Sequence, residues 1–197
     1  MRLNKLIMAS VLMLVTITLI PRIASADQIY ATDQGHTEVL FSWNHAGVST
    51  QNAEFTVAKG TLNLADNIEK SSVNVNIDTN SLSSGFDMLD THLKSADFLE
   101  VATYPEIVFE STTIKQTGDK LFDVTGKLSI HGVTQSVTLK AEITHQGEHP
   151  VAKFIDYYKG KWIAIKATAE IDHQAFKVGP FSTGPISVVI NTEMKAQ

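Results

Sequence analysis

"GKLSIHGVTQSVTLKAEI", Gly126 to Ile143, is the stretch on which the fold turns. Leu128 and Ile130 alternate with polar neighbours, His131-Gly132 interrupts, and Val137, Leu139, Ala141 and Ile143 resume the alternation. Side chains two apart on a strand share a face, so this period marks a half-buried strand on each side of the break. A glycine between two such runs supplies the positive φ that a tight hairpin needs. The stretch reads as two antiparallel strands with one common apolar face.

The same period recurs on both sides. Val39, Phe41 and Trp43 alternate, as do Val73, Val75 and Ile77, then Ile107 and Phe109. Ile163, Ile165, Ala167, Ala169 and Ile171 form the longest series, and Ile186, Val188 and Ile190 close the chain. Turn formers separate the runs: Ala65-Asp66-Asn67, Thr117-Gly118-Asp119, Gln146-Gly147-Glu148, Gly179-Pro180 and Gly184-Pro185. About eight strands result, on links too short for parallel crossovers, so the order is antiparallel. A sandwich and an up-and-down barrel both satisfy the alternation. Small inward residues (Ala141, Ala167, Ala169) beside bulky ones leave room for one ligand-sized cavity. The outward series, such as Lys166, Thr168 and Glu170, is too polar for the lipid-facing wall of a membrane barrel.

One stretch breaks the period. "THLKSADFLEVATYPEIVFES", Thr91 to Ser111, follows Met88 and Leu89, and Met88, Leu89, Leu93 and Ala96 repeat at helical spacing. A short amphipathic helix is expected, with Leu89, Leu93, Ala96, Phe98 and Leu99 turned to the interior. It serves either as a lid over a cavity or as a plug completing a filled core.

The N-terminus has the layout of a secretory signal peptide: Arg2 and Lys5, the apolar run Leu6 to Ile20, then Ala24-Ser25-Ala26. Cleavage after Ala26 leaves one domain, residues 27–197. The apolar run is short for a spanning anchor, so no stable membrane insertion is expected. The whole chain carries −5, and the leader's three basic residues face no acid, so residues 27–197 carry −8. That charge disfavours both nucleic acid and anionic lipid head groups as partners. The chain has no cysteine, which rules out disulfides and thiol chemistry, and no N-glycosylation sequon. A bacterial periplasm is the compartment these features fit.

Three stretches carry a family resemblance: "HTEVLFSWNHAGVS" (His36 to Ser49), "HLKSADFLEVATYPEIVFES" (His92 to Ser111) and "GKLSIHGVTQSVTL" (Gly126 to Leu139). In this order and spacing they resemble the YceI-like family of bacterial periplasmic proteins. The resemblance implies an all-β fold: an eight-stranded antiparallel lipocalin-like barrel with a short helical cap, often dimeric. It also implies an elongated apolar pocket that holds a polyisoprenoid, such as an isoprenoid quinone, for carriage or storage without catalysis. The candidate lining is the inward apolar set: Phe41, Trp43, Phe55, Val75, Ile77, Leu89, Leu93, Phe98, Ile107, Phe109, Leu128, Ile130, Leu139, Ile165, Ala167, Phe176 and Val188. In "IDHQAFKVGPFSTG" (Ile171 to Gly184) the family commonly has an arginine and a Phe-Gly; here His173 and Lys177 stand in those positions.

The histidines raise a second class of function, a metal or redox protein. His36, His45, His92, His131 and His173 fall at element ends. No His-x-His, no His-Glu-x-x-His and no ordered acidic partner accompanies them, so they read as bonding backbone at turns. No metal ligands and no catalytic residues are assigned; a Gly-x-Ser-x-Gly elbow is absent too. A third class is a ligand-free stress-response interaction protein with a filled core. Trp43 and Trp162 read as isolated, and "YYKGKW" (Tyr157 to Trp162) as an exposed hairpin or a partner-facing edge.

Overall fold

The computed structural model describes residues 27–180 and 184–197, so the expected leader and residues 181–183 lie outside it. Ten strand segments and one α-helix follow in chain order: β1 (Gln28–His45), β2 (Ser49–Phe55), β3 (Ala58–Leu64), β4 (Ser72–Asp78), β5 (Leu82–Ser83), α1 (Asp87–Lys94), β6 (Glu106–Gly118), β7 (Leu121–Ile130), β8 (Val133–Glu148), β9 (Lys161–Ile171) and β10 (Ile186–Ala196). The ladder runs β1-β3-β4-β6-β7-β8-β9-β10 and returns from β10 to β1, every pair antiparallel. The barrel reading, left open against a sandwich by the pattern, is the structure's answer: eight wall positions, closed. The two extra segments are broken strands. β2 continues the line of β3 along the second half of β1, and β5 continues β4 against β2.

Closure joins the first strand to the last, with Val39 opposite Ile190 and Phe41 opposite Val188. The Thr37 and Thr192 hydroxyls meet across this seam at 2.8 Å. Four register shifts interrupt the wall, between Thr32 and Thr37, Ser111 and Thr113, Gln116 and Gly118, and Ile143 and His145. At the first, Asp33 takes hydrogen bonds from the Gly35 N–H at 3.0 Å and the His36 ring at 2.9 Å, which holds the extra residues in a fixed loop.

The hairpin over Gly126 to Ile143 forms as expected. β7 and β8 pair from Ile130–Val133 to Leu121–Glu142, and the connection is His131 (φ 50°) and Gly132 (φ 72°). Both central residues at positive φ define the turn whose twist matches paired strands. A Cβ on Gly132 would lie 2.7 Å from the Tyr104 ring, so glycine is needed there for space as well as for φ.

At one end, the base, Tyr30, Leu62, Ile163 and Met194 pack with little residual exposure. At the other, Val39, Phe55, Ile77, Leu82 and Ile107 pack below Leu93 of α1 and the following Leu99. Asp90 holds the start of α1 by accepting from the Ser84 N–H at 2.7 Å and the Ser84 hydroxyl at 2.5 Å. Ser95 ends it: its hydroxyl donates to the His92 carbonyl at 2.7 Å and its backbone turns extended (ψ 173°). The helix is therefore shorter than its spacing suggested. Ala96 falls in the turn beyond it and is exposed, and Met88 points to solvent at 73% exposure, so neither belongs to the interior face.

A capped apolar interior

Inward-facing positions on the wall are apolar almost throughout, because each strand turns alternate residues to the inside. Of the seventeen candidate residues, Phe55, Ile77, Ile107, Phe109, Ala167 and Phe176 are buried. Phe41, Phe55, Val75, Ile77, Leu93, Ile107, Leu128, Ile130 and Val188 meet in one cluster beneath the cap. Phe109 and Leu139 lie lower, with Ile114, Phe122 and Val124. Phe176 sits with Ala169 and Ile171 at the cap end, and Ile165 belongs to the base cluster. Ala167 pairs between Ala141 and Ile190. Leu89 is half-buried on α1, and Phe98 abuts the His92 ring edge-on at 4.9 Å.

Trp43 is not isolated. Its ring stacks on Phe41 at 5.8 Å, and Phe41 stacks on Phe55 at 5.2 Å. These three rings run in a line from the β1–β2 hairpin into the interior, because Phe41 and Trp43 share a face two residues apart. Four residues outside the candidate set pack with it: Leu99, expected on the inner side of the helical segment, Ile186 and Ile190, and Leu82, which the pattern did not single out. Ile186 and Ile190 were legible as members of the alternating series around Val188.

Burial within this set is uneven in an informative way. Phe41, Val75, Leu93, Leu128, Ile130, Leu139, Val188 and Ile190 face inward and touch the core, yet keep part of their surface accessible. Protein cores pack at crystal density, so inward apolar side chains with accessible surface border open space. A groove of about 600 Å³ lies on the outer face of the wall at this end, bounded by Leu40 to Ser42, Asn52 to Glu54, Ser83 to Gly85, Ser187 and Val189.

The segment near the departures from the family pattern forms a 3-10 turn, His173–Phe176. His173 is buried, and its Nδ1 donates to the Val178 carbonyl at 2.6 Å. Lys177 adopts left-handed backbone (φ 59°, ψ 29°), the conformation for which glycine is the usual residue. Lys177→Gly is expected to raise the unfolding free energy by about 0.5–1 kcal/mol, the left-handed strain outweighing glycine's extra chain entropy. A urea titration with no gain in midpoint would count against that assignment of strain.

The remaining histidines have more acidic company than expected. His36 meets Asp33 at 2.9 Å, His149 meets Glu193 at 3.2 Å and His131 lies 3.4 Å from Glu100. Hydrogen bonding to Asp33 raises the His36 pKa above its ordinary value against a smaller effect of burial, with Glu193 and Asp33 charges adding to it. Burial pushes the Asp33 carboxyl up, but the bonds from His36 and Gly35, the His36 charge and the Tyr157 hydroxyl together hold it below the usual range. Bonding to backbone at turns holds for His145, at 3.2 Å from the Glu148 carbonyl, as for His173. Among the described residues no three histidine or acidic side chains converge as metal ligands.

"YYKGKW" is not a hairpin. Two 3-10 turns, Pro150–Lys153 and Asp156–Tyr158, fold back over the outer face of β9 and bury Trp162 to 1% exposure. The indole N–H donates to the Tyr158 carbonyl at 2.8 Å. Tyr158 and His149 each lie 5.3 Å from the Trp162 ring, and His149 stacks on Tyr158 at 4.4 Å. Lys195, opposite Trp162 on β10, lies over both the Tyr157 and Trp162 rings.

A closed antiparallel eight-stranded barrel with one short helix defines the class. The chain belongs to the YceI-like family: the family model for the YceI-like domain matches residues 30–196. Protein YceI of Salmonella arizonae is 36% identical over 163 residues, spanning 80% of this chain and 81% of that protein. A UPF0312 protein of Pseudomonas savastanoi pv. phaseolicola is 39% identical over 127 residues, 64% of this chain and 66% of that one. Among solved structures, Burkholderia cenocepacia BcnA superposes with a TM-score of 0.71 at 19% identity, covering 82% of this chain and 98% of that one. A polyisoprenoid binding domain from Saccharophagus degradans, implicated in plant cell wall breakdown, gives 0.61 at 14% identity over 87% and 99%. At these identities the two structures speak to the fold.

Proposed function

We propose that this protein binds a polyisoprenoid, such as an isoprenoid quinone, by its tail inside the barrel, and carries or stores it in the periplasm without chemical change. The observation that carries the reading is the set of inward apolar side chains that keep accessible surface inside a closed wall, Val188, Leu128 and Phe41 among them. The Saccharophagus domain, a neighbour in fold, is a polyisoprenoid binding domain, and this supports the choice of ligand class.

The energetics permit tail binding with no polar anchor. A five-carbon isoprene unit offers about 4 kcal/mol of gross burial, at about 0.8 kcal/mol per methylene. Association costs an estimated 4–15 kcal/mol, so several buried units outweigh it. Affinity then rises with chain length until the interior is full. Leu93 and Leu99 close the cap end over the tail.

Mass spectrometry of an organic-solvent extract of the protein purified from a periplasmic fraction tests this. A near-stoichiometric isoprenoid is the expected result, and its head group names the ligand. A clean extract from protein that is folded by circular dichroism would overturn it.

A further inference from the structure

The turns over Trp162 do more than bury it. Phe154 is 77% exposed, Ile155 49% and Tyr157 52%, three large apolar side chains within four positions. Scattered exposed apolar residues are ordinary, but a contiguous group on an ordered surface marks an interaction site. This group is ordered from below. Ala152 is buried, the Phe154 and Ile155 N–H groups donate to the Val151 carbonyl, and Tyr158 is held between His149 and Trp162. The binding surface is therefore preformed, with little entropy left to lose.

The charges around it identify the partner. Lys153, Lys159 and Lys161 flank the three side chains along the segment, with one acid among them, Asp156, in a chain otherwise rich in acids. Asp156 is paired to Lys159 at 2.7 Å, and Lys153 lies 4.8 Å over the Phe154 ring. The nearby acids beneath are engaged, Asp33 with His36 and Glu193 with His149, while Glu148 faces Lys161 across the β8–β9 ladder. Exposed aromatic and aliphatic side chains flanked by lysines are the composition of a surface that sits at a membrane–water boundary: rings and the isoleucine among the upper acyl chains, ammonium groups at the phosphates.

We propose that the segment from Pro150 to Lys161 docks this protein on a phospholipid bilayer surface through Phe154, Ile155 and Tyr157. The segment lies at the base, at the start of β9, so docking leaves the cap end and its groove facing away from the lipid. This proposal stands apart from the isoprenoid reading, since neither the interior nor the cap takes part.

Cosedimentation with phosphatidylcholine vesicles tests it. The protein should pellet with vesicles, and added salt should weaken this only in part, because it screens the lysine–phosphate contacts and leaves the apolar insertion intact. Phe154→Ser/Ile155→Ser should weaken the partition about tenfold or more, given the apolar area removed. Both residues are exposed, so that variant keeps its fold. Phe86→Ser/Met88→Ser, at the cap end, should pellet like the parent. Failure of the parent to pellet, equal pelleting of the Phe154/Ile155 variant, or loss confined to the cap-end variant would each overturn the proposal. So would parent protein that self-associates through this segment in sedimentation velocity, for then a second copy covers it.

Discussion

Trp162→Ala is expected to lower the unfolding free energy by about 3–5 kcal/mol, the range for removing a fully buried large aromatic. The size follows from what the indole does. It is the largest fully buried side chain described, and it fills the space between β9 and the turns that fold over it. Removing it leaves a cavity bordered by Tyr158, His149 and Tyr157, and leaves the Tyr158 carbonyl without its donor. Trp162→Phe separates the two contributions. It keeps most of the packing and loses the hydrogen bond, so about 1–2 kcal/mol is expected. Urea titrations of both variants decide the matter; equal midpoints for the alanine variant and the parent would show that the turns close over the gap.

Gly126→Ala comes next, for the opposite reason. Gly126 faces inward on β7, in series with Val124 and Leu128, where a side chain would be expected. A Cβ there would stand 2.5 Å from the Glu110 carbonyl oxygen and 2.5 Å from Phe109 Cζ. The Phe109 ring lies across the bare backbone and occupies the space itself, and the neighbouring β6 ladder shifts register between Ser111 and Thr113. A flexible side chain could give way, but a paired carbonyl cannot without breaking the ladder. The expected cost is about 3 kcal/mol, at the upper end of ordinary overpacking. Gly126→Ala combined with Phe109→Leu clears the ring but not the carbonyl, so only partial recovery in thermal melts is expected.

Most of the barrel could be read from the chain because its rule is local. Leu128 and Ile130, or Ala167 and Ala169, announce their face within a few residues, and His131-Gly132 announces its turn. What escaped is what the third dimension supplies. The break at Thr56 and Val57 that separates β2 from β3 shifts the inward set from Ala53 and Phe55 to Ala58, Gly60 and Leu62, but Ala58 and Gly60 are too small to announce the shift in the sequence. The helix ended early because the Ser95 hydroxyl competes for the His92 carbonyl, a bond that a periodicity of apolar residues does not weigh. The aromatic assembly was out of reach altogether. The turns between β8 and β9 bring His149 and Tyr158 onto Trp162 and the β9–β10 ladder adds Lys195, but His36 sits on β1, and only the closing of the sheet brings it to Tyr158. For the interior, the pattern supplied the face of each residue but not how fully it is covered, and that coverage is what separates a lid from a plug.

The seam between β1 and β10 sets a timetable for the chain. Thr37 and Thr192, which meet there, are separated by 155 residues. A polypeptide emerging from its N-terminus presents β1 long before its last partner exists. Until β10 arrives, both β1 and β9 are open edges, the kind of surface on which strands from other molecules add. Contacts this distant in sequence also form slowly. The final eleven-residue strand, Ile186–Ala196, thus acts as the latch of the whole wall. A chain cut short before it keeps nine segments able to pair with one another and two edges with nothing to meet but a neighbour.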